Sequence, residues 1–460
     1  MVHELKRNTQ ALDAALCPQE SFDLIKRELS IGGRAAVLYF IDGMIKDEVY
    51  EKILEFFDQI SQDEMKQIPN MRTFAREKIP YVEAETAGEE DIVIEQILSG
   101  PSVLLIDGWK EAAIVDTRTY PSRSVEEPSK DKTLRGSKDG FVETLISNTA
   151  MMRRRIRRKE LRVEYAKAGH ADLAFVYEKG NVDEKLLGNL RRKMREMRPE
   201  STSMTQQAVS EALIPPGFWN PFPRFRYTQR PDYAAAAVRD GKVIVLMDNC
   251  PAAMILPTSY FDFFRESEDY YFPPFVGTYI RLLRTVVALL SVWLIPVYVC
   301  LSHSPSPALS FLFPQDAAPI ALWVQLLLLE ILVDGLHLAS LNTPAPLSGS
   351  LGIIGGLLLS EFAVKAQWFS VQPILLSAFV VVASLIQPSE EMAYAMKFQR
   401  VALLLLARLF SFWGLIVGGI LFFAAKLATK TLDGRKYLAP LIPFSKKRLI
   451  KLWLRSEKNR

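Results

Sequence analysis

Cysteine is nearly missing from this chain of 460 residues. Cys17, Cys250 and Cys300 are the three present, far apart and in unlike contexts, which excludes a disulfide framework and any cysteine-based metal spacing. Histidine is also scarce, with four in all, and no H-E-x-x-H pair places two of them on one helix face. His170 and His303 are isolated and are expected to be exposed. The sequence also lacks a Walker A loop, a G-x-G-x-x-G opening a helix, and a G-x-S-x-G elbow, so no nucleotide-cradling or nucleophile signature is present. These absences point away from an enzyme and from any cofactor or metal. The opening stretch MVHELKRNTQALDAALCPQE has no apolar core of signal-peptide length, so the amino-terminal region is expected on the cytoplasmic side.

Basic charge is sparse in one part of the chain in particular. Between residues 285 and 423 the only basic residues are Lys365, Lys397, Arg400 and Arg408. The overall hydrophobic fraction of 49% and mean hydropathy of +0.09 therefore average two unlike halves. Residues 285–301, 320–341, 349–364, 371–386 and 401–423 are apolar runs that approach the ~20 residues a helix needs to cross a bilayer. Pro296 lies inside the first run, where neighbouring helices can satisfy the carbonyl it frees. The loop 303–315 has no Lys or Arg, whereas eleven basic residues follow Ala425 against Asp433 and Glu457. The positive-inside rule then puts the tail, Arg281, Arg284 and the whole amino-terminal region on the cytoplasmic side. Both ends inside require an even number of crossings. Four spans result if 349–364 is re-entrant or interfacial, with Lys365 on the inner side.

The amino-terminal half repeats itself. Residues 97–115 and 238–256 share a pattern in which Gly100 and Gly241, Asp107 and Asp248, and Ile114 and Ile255 are each 141 residues apart. Asp-Gly and Asp-Asn between β-rich runs read as hairpin turns, which explains Asp107 and Asp248, and Asp42 likewise, better than a role as site acids. Weaker copies at 35–57 and 171–197 complete two related α/β subdomains. The expected organisation is an unanchored segment 1–20, subdomains at 21–125 and 165–270, a linker helix at 126–164, an α-helical transmembrane domain at 271–425, and a basic tail at 426–460. In the linker, Phe141, Leu145, Met152 and Ile156 share one helical face. Arg153, Arg154, Arg155, Arg157 and Arg158 read as a solvated face paired with nearby carboxylates, with inter-subunit pairing as the next reading. No nucleic-acid partner is expected.

Four ordered blocks resemble one known family. The first is Arg135-Gly136-Ser137-Lys138-Asp139-Gly140-Phe141, with Glu143 and Asn148-Thr149-Ala150. The second is Trp219-Asn220-Pro221-Phe222-Pro223 with Arg226-Tyr227-Thr228-Gln229-Arg230-Pro231-Asp232. The third is Ile255-Leu256-Pro257-Thr258-Ser259-Tyr260-Phe261 with Glu268-Asp269-Tyr270-Tyr271, and the fourth is Tyr437-Leu438-Ala439-Pro440-Leu441-Ile442-Pro443-Phe444. The ordered set resembles the GerA-type A subunits of bacterial spore germination, and Thr343-Pro344-Ala345-Pro346-Leu347 adds to the likeness. Gln229 departs from the family's usual glutamate, and nothing before Ser21 matches. The resemblance implies a multi-pass protein of the spore inner membrane that contacts lipid, assembles as a homo-oligomer and works with other germination membrane proteins. It also implies that such oligomers form or gate a path for cation release. A membrane-anchored scaffold without conductance is the alternative.

For an ion path the residues to examine are Glu330, Asp334 and His337, whose spacings of four and three place them on one helix face. Carboxylates inside a membrane cost roughly 2.5–3.5 kcal/mol each, so they face a bundle interior or water. Arg408 is the obvious intramembrane ion-pair partner, and Glu361 competes for it. One arginine cannot neutralise all three acids, which leaves at least one carboxylate needing water or a cation.

Overall fold

The computed structural model describes residues 1–118, 137–169, 171–197, 206–214, 219–266, 268–303, 307–314, 319–342, 363–446 and 449–450. The chain forms two compact units, one of Met1–Pro215 with Phe225–Pro257, the other of Pro216–Arg224 with Thr258–Arg460.

The first unit is a tandem repeat. Its first half runs α1 (Leu5–Leu16), β1 (Leu24–Ile31), β2 (Arg34–Ile41), α2 (Asp47–Asp58), α3 (Gln62–Gln67), α4 (Met71–Lys78), β3 (Ala84–Ala87), α5 (Glu90–Ser99), β4 (Ser102–Ile106) and β5 (Ala112–Val115). Its second half runs α6 (Leu145–Arg155), β6 (Leu161–Ala168), β7 (Ala171–Glu178), α7 (Glu184–Glu196), α8 (Gln206–Leu213), β8 (Arg226–Thr228), α9 (Pro231–Arg239), β9 (Val243–Met247) and β10 (Ala253–Leu256). Both sheets are antiparallel, in the orders β1-β2-β4-β5-β3 and β6-β7-β9-β10-β8. The register carries the 141-residue offset intact, since Val103 faces Ile114 and Ile244 faces Ile255. Every residue of β4 and β9 is buried, and apart from Ser102 all of them are apolar. Gly100 and Gly241 both hold positive φ (109° and 81°) just ahead of them, a conformation that costs a glycine little.

The repeat is more complete than the sequence suggested. Residues 1–20, which no family block anchors, supply α1, and it buries Leu5, Leu12 and Leu16 in the first core. The helix at 145–155 is not a linker but its counterpart. The Leu5 N–H donates to Asp107 Oδ1 (3.0 Å) and the Leu145 N–H to Asp248 Oδ1 (3.0 Å). Asn8 bonds Val2 in both directions, as Asn148 bonds Val142. Asp107 and Asp248 thus do more than turn the chain. Each puts a carboxylate at a helix amino terminus, where free N–H groups and the helix dipole favour an anion.

The two halves interlock through α6. Arg153 is buried and makes two 3.0 Å hydrogen bonds to Asp23, which is itself fully buried. The Phe22 N–H donates to the Val163 carbonyl (2.9 Å). Gly43 passes so close to α6 that a Cβ there would lie 2.7 Å from Ile146 Cγ2. Arg155 pairs with Asp139 and Arg158 with Glu178, so the arginine run does meet carboxylates, although Arg153 is not on a solvated face. Arg230, also buried, bonds Asp232 and donates to the Ser137 carbonyl, which draws the first two family-like blocks together.

Burial would push the Asp139 carboxyl up, but hydrogen bonds from Arg155 and Ser137 and the guanidinium charge outweigh it and hold its pKa below the usual carboxylate range. A depressed pKa contributes stability that is fully present above the unfolded value of about 3.9 and is lost as pH falls through the lower folded value. Asp139→Asn should therefore flatten the acid limb of the stability–pH curve. An unchanged slope below pH 4 in unfolding titrations would exclude this role.

The second unit is helical: α10 (Glu268–Tyr271), α11 (Pro274–Ser302), α12 (Leu322–Asn342), α13 (Val371–Leu385) and α14 (Glu390–Ala428). Three of these helices, α11, α12 and α14, are long and apolar enough to cross a membrane, and α13 is a shorter apolar helix. Leu375 of α13 and Leu409 and Trp413 of α14 are each about 70% exposed, an arrangement that suits lipid rather than water. Pro296 lies inside α11 without ending it.

The final apolar run is not one straight rod. Ser411 has φ 51° and ψ −131°, and α14 doubles back there. A Cβ on Gly414 would lie 2.0 Å from the Leu406 carbonyl oxygen, and one on Gly418 would lie 2.6 Å from Leu403 Cδ2. In a straight helix, Leu403 and Gly418 would be roughly 22 Å apart along the axis. The residues expected to be re-entrant, 349–364, lie mostly outside the described ones. The Ser370 N–H donates to Gln325 Oε1 (2.9 Å) at the start of α12. α12 and α13 therefore begin at the same end and run parallel.

Candidate functional site

The apolar helices enclose one charged group of side chains. Glu330, Asp334 and His337 do share a face of α12, and they line a cavity of about 210 Å³ with Ser377 and Gln387 from the α13 region and Tyr394, Lys397 and Arg400 from α14. Arg400 grips Glu330 through both nitrogens, Nε to Oε1 at 2.6 Å and an Nη to Oε2 at 2.8 Å. Its other Nη donates to the Ser291 carbonyl of α11 at 2.9 Å. Lys397 donates to the Glu330 backbone carbonyl (3.0 Å), lies 3.5 Å from Glu330 Oε2, and pairs with Asp334. The side chains of Glu330 and Arg400 are 10% and 3% exposed, whereas that of Asp334 is 41% exposed. Ser377 Oγ and Gln387 Oε1 are buried beside the cavity with no protein hydrogen-bond partner.

Two expectations are corrected here. Arg408 does not pair with these acids; it stands three residues before the Ser411 reversal, 3.3 Å from His303 Nε2. Nor do the acids lack cations, because Lys397 and Arg400 match Glu330 and Asp334 one for one. The signal was in the sequence: cations three residues apart on one helix can meet acids four apart on another. Choosing them over Arg408 required knowing where α14 turns. Glu361 lies outside the described residues.

A second cluster joins three of the family-like blocks. The Tyr437 hydroxyl, fully buried, donates to the Pro223 carbonyl at 2.7 Å, and the Tyr260 N–H donates to the Tyr437 carbonyl at 2.8 Å. Asn220 Nδ2 reaches Thr429 Oγ1 at 2.7 Å. Lys426 Nζ sits 4.9 Å from the Phe222 ring centre and 4.7 Å from that of Tyr260, within the reach of cation–π attraction. Burial pushes the Tyr437 hydroxyl pKa well above its ordinary value. Close by in sequence, buried Asp269 holds both Arg281 and Arg284 at 3.1 Å, and Glu266 holds Arg284 at 2.6 Å. The acidic block thus neutralises the arginines at the start of α11. In the sequence these motifs stand out only by their family resemblance.

A tandem antiparallel α/β unit, followed in the chain by apolar helices long enough to cross a bilayer, is the build of a membrane protein. Residues 13–460 match the family described as Bacillus/Clostridium GerA spore germination protein, and the chain belongs to that family. It is similar to stage V sporulation protein AF of Bacillus subtilis, 30% identical over 95% of this chain and 90% of that protein. It is also similar to spore germination protein KA of the same organism, 29% identical over 92% of this chain and 80% of that protein. Among solved structures, the N-terminal domain of the A subunit of the Bacillus megaterium spore germinant receptor GerK3 matches 55% of this chain and 94% of its own, at 20% identity and a TM-score of 0.42.

Proposed function

We propose that this chain is a membrane component of the spore germination machinery that forms or gates a cation-release path. In this reading it works as a homo-oligomer beside other germination membrane proteins, with both termini on the cytoplasmic (spore-core) side. The observation that carries the reading is the cavity between α12, α13 and α14, where the half-exposed Asp334 carboxylate faces open space inside an apolar bundle. A side chain that served only to anchor helices would be buried against its partner; an acid left open at membrane depth is suited to water and cations. The basic tail and the Tyr437–Pro223 contact support placing the tail and the segment 219–223 on one side.

The scaffold reading draws on one observation of its own, the full charge balance of Glu330 and Asp334 by Arg400 and Lys397. Asp334→Asn and Glu330→Gln separate the two. On the path reading, Asp334→Asn at normal membrane abundance slows potassium release from germinating spores by about tenfold, and Glu330→Gln does so at least as strongly. If both variants insert normally and release potassium at the parental rate, the scaffold reading stands.

A further inference from the structure

Lys397 is held in a way that differs from its neighbour Arg400. Arg400 is fixed from three sides, by both Glu330 oxygens and by the Ser291 carbonyl, and its planar fork cannot leave without breaking all of them. The Lys397 ammonium ends a flexible stem at the cavity edge. Among the described residues its polar contacts are three oxygens: the Glu330 backbone carbonyl, Glu330 Oε2, and an Asp334 carboxylate oxygen. One carbonyl and two carboxylate oxygens converging on a compact monovalent charge form a ligand set that also suits a hard metal cation.

We propose that the Lys397 ammonium is a tethered plug, occupying a site for a monovalent metal cation formed by Glu330 and Asp334. This rests on the cation-path reading above and adds its regulation. With Lys397 in place, its charge and that of Arg400 offset those of Glu330 and Asp334, and the oxygens around the ammonium are taken. When the ammonium withdraws, one negative charge remains beside the cavity, and a potassium or sodium ion takes the vacated oxygens. Arg400 stays put and keeps Glu330 aimed at the site. Opening therefore needs a displacement of one side chain rather than a rearrangement of the bundle. The cavity of about 210 Å³ gives the displaced stem and the entering ion room.

The test uses the full chain in detergent and in liposomes. Lys397→Met removes the ammonium at nearly unchanged length, and Lys397→Met with Asp334→Asn removes one charge of each sign. The melting temperature of Lys397→Met should be several degrees higher in potassium chloride than in choline chloride at equal ionic strength, because binding to the folded state stabilises it by mass action. The parent and the double variant should show no such difference. In liposomes loaded with potassium, Lys397→Met should leak about tenfold faster than the parent, and the double variant should return to the parental rate. If Lys397→Met fails to accumulate, Lys397→Ala takes its place in both assays. Should neither accumulate while the double variant does, purification of Lys397→Met in high potassium must recover it, and failure to do so overturns the proposal. A folded variant without potassium-specific stabilisation overturns it too. Stabilisation without a leak keeps the plugged site and instead removes the path.

Discussion

Replacing Arg400 with methionine should empty the membrane fraction of this protein. Glu330 would be left deep among apolar helices without its bidentate partner, and removing one member of a buried pair costs about 3–5 kcal/mol. Lys397 cannot substitute, because its ammonium is committed to Asp334 and touches Glu330 Oε2 only at 3.5 Å. Glu330→Met in the same chain should restore abundance, since a well-packed apolar pair of similar volume is often as stable as the ion pair. Arg408→Met should leave abundance unchanged, because Arg408 is exposed beside His303. Quantitative immunoblots of membrane fractions decide this. Loss of the protein with Arg408→Met but not with Arg400→Met would reverse the pairing argued here.

The second large effect lies outside the helices. Arg153→Met should destabilise the two-repeat unit by about 3–5 kcal/mol, for it strands the fully buried Asp23 carboxylate. The pair joins the two repeats, so the loss should also uncouple their unfolding, turning one transition into two in denaturant titrations of the purified chain. Adding Asp23→Leu should regain most of the stability, whereas Arg157→Met, whose exposed side chain bonds the Arg154 carbonyl one turn back, should cost little. Equal losses from Arg153→Met and Arg157→Met would mean that the cluster acts as diffuse charge and not through one buried bond.

How much was legible in the sequence depended on how local each feature is. The apolar runs in residues 103–115 and 244–256 read as hairpins, and their constant offset carries through to matching registers, because strand pairing across a short connection is set by residues close in sequence. The counterpart relation of α1 and α6 was not legible. It rests on Asp107 and Asp248 bonding helix starts a hundred residues away, and on Asn8 and Asn148 closing small rings that no hydrophobic period records.

In the helical unit the sequence by itself determined which segments are apolar, that Glu330, Asp334 and His337 share one face, and that charge there must find company. Composition and helical period suffice for those, since both follow from the residues along a single rod. Only the tertiary structure decided which cations answer them. That choice follows from the reversal at Ser411, made possible by the bare backbones of Gly414 and Gly418 against Leu406 and Leu403. The fold-back carries Arg408 to the turn beside His303 and leaves Lys397 and Arg400 opposite the acids. Where a helix bends sets which side chains meet across the bundle, and the apolar pattern of α14 is the same whether it bends or not.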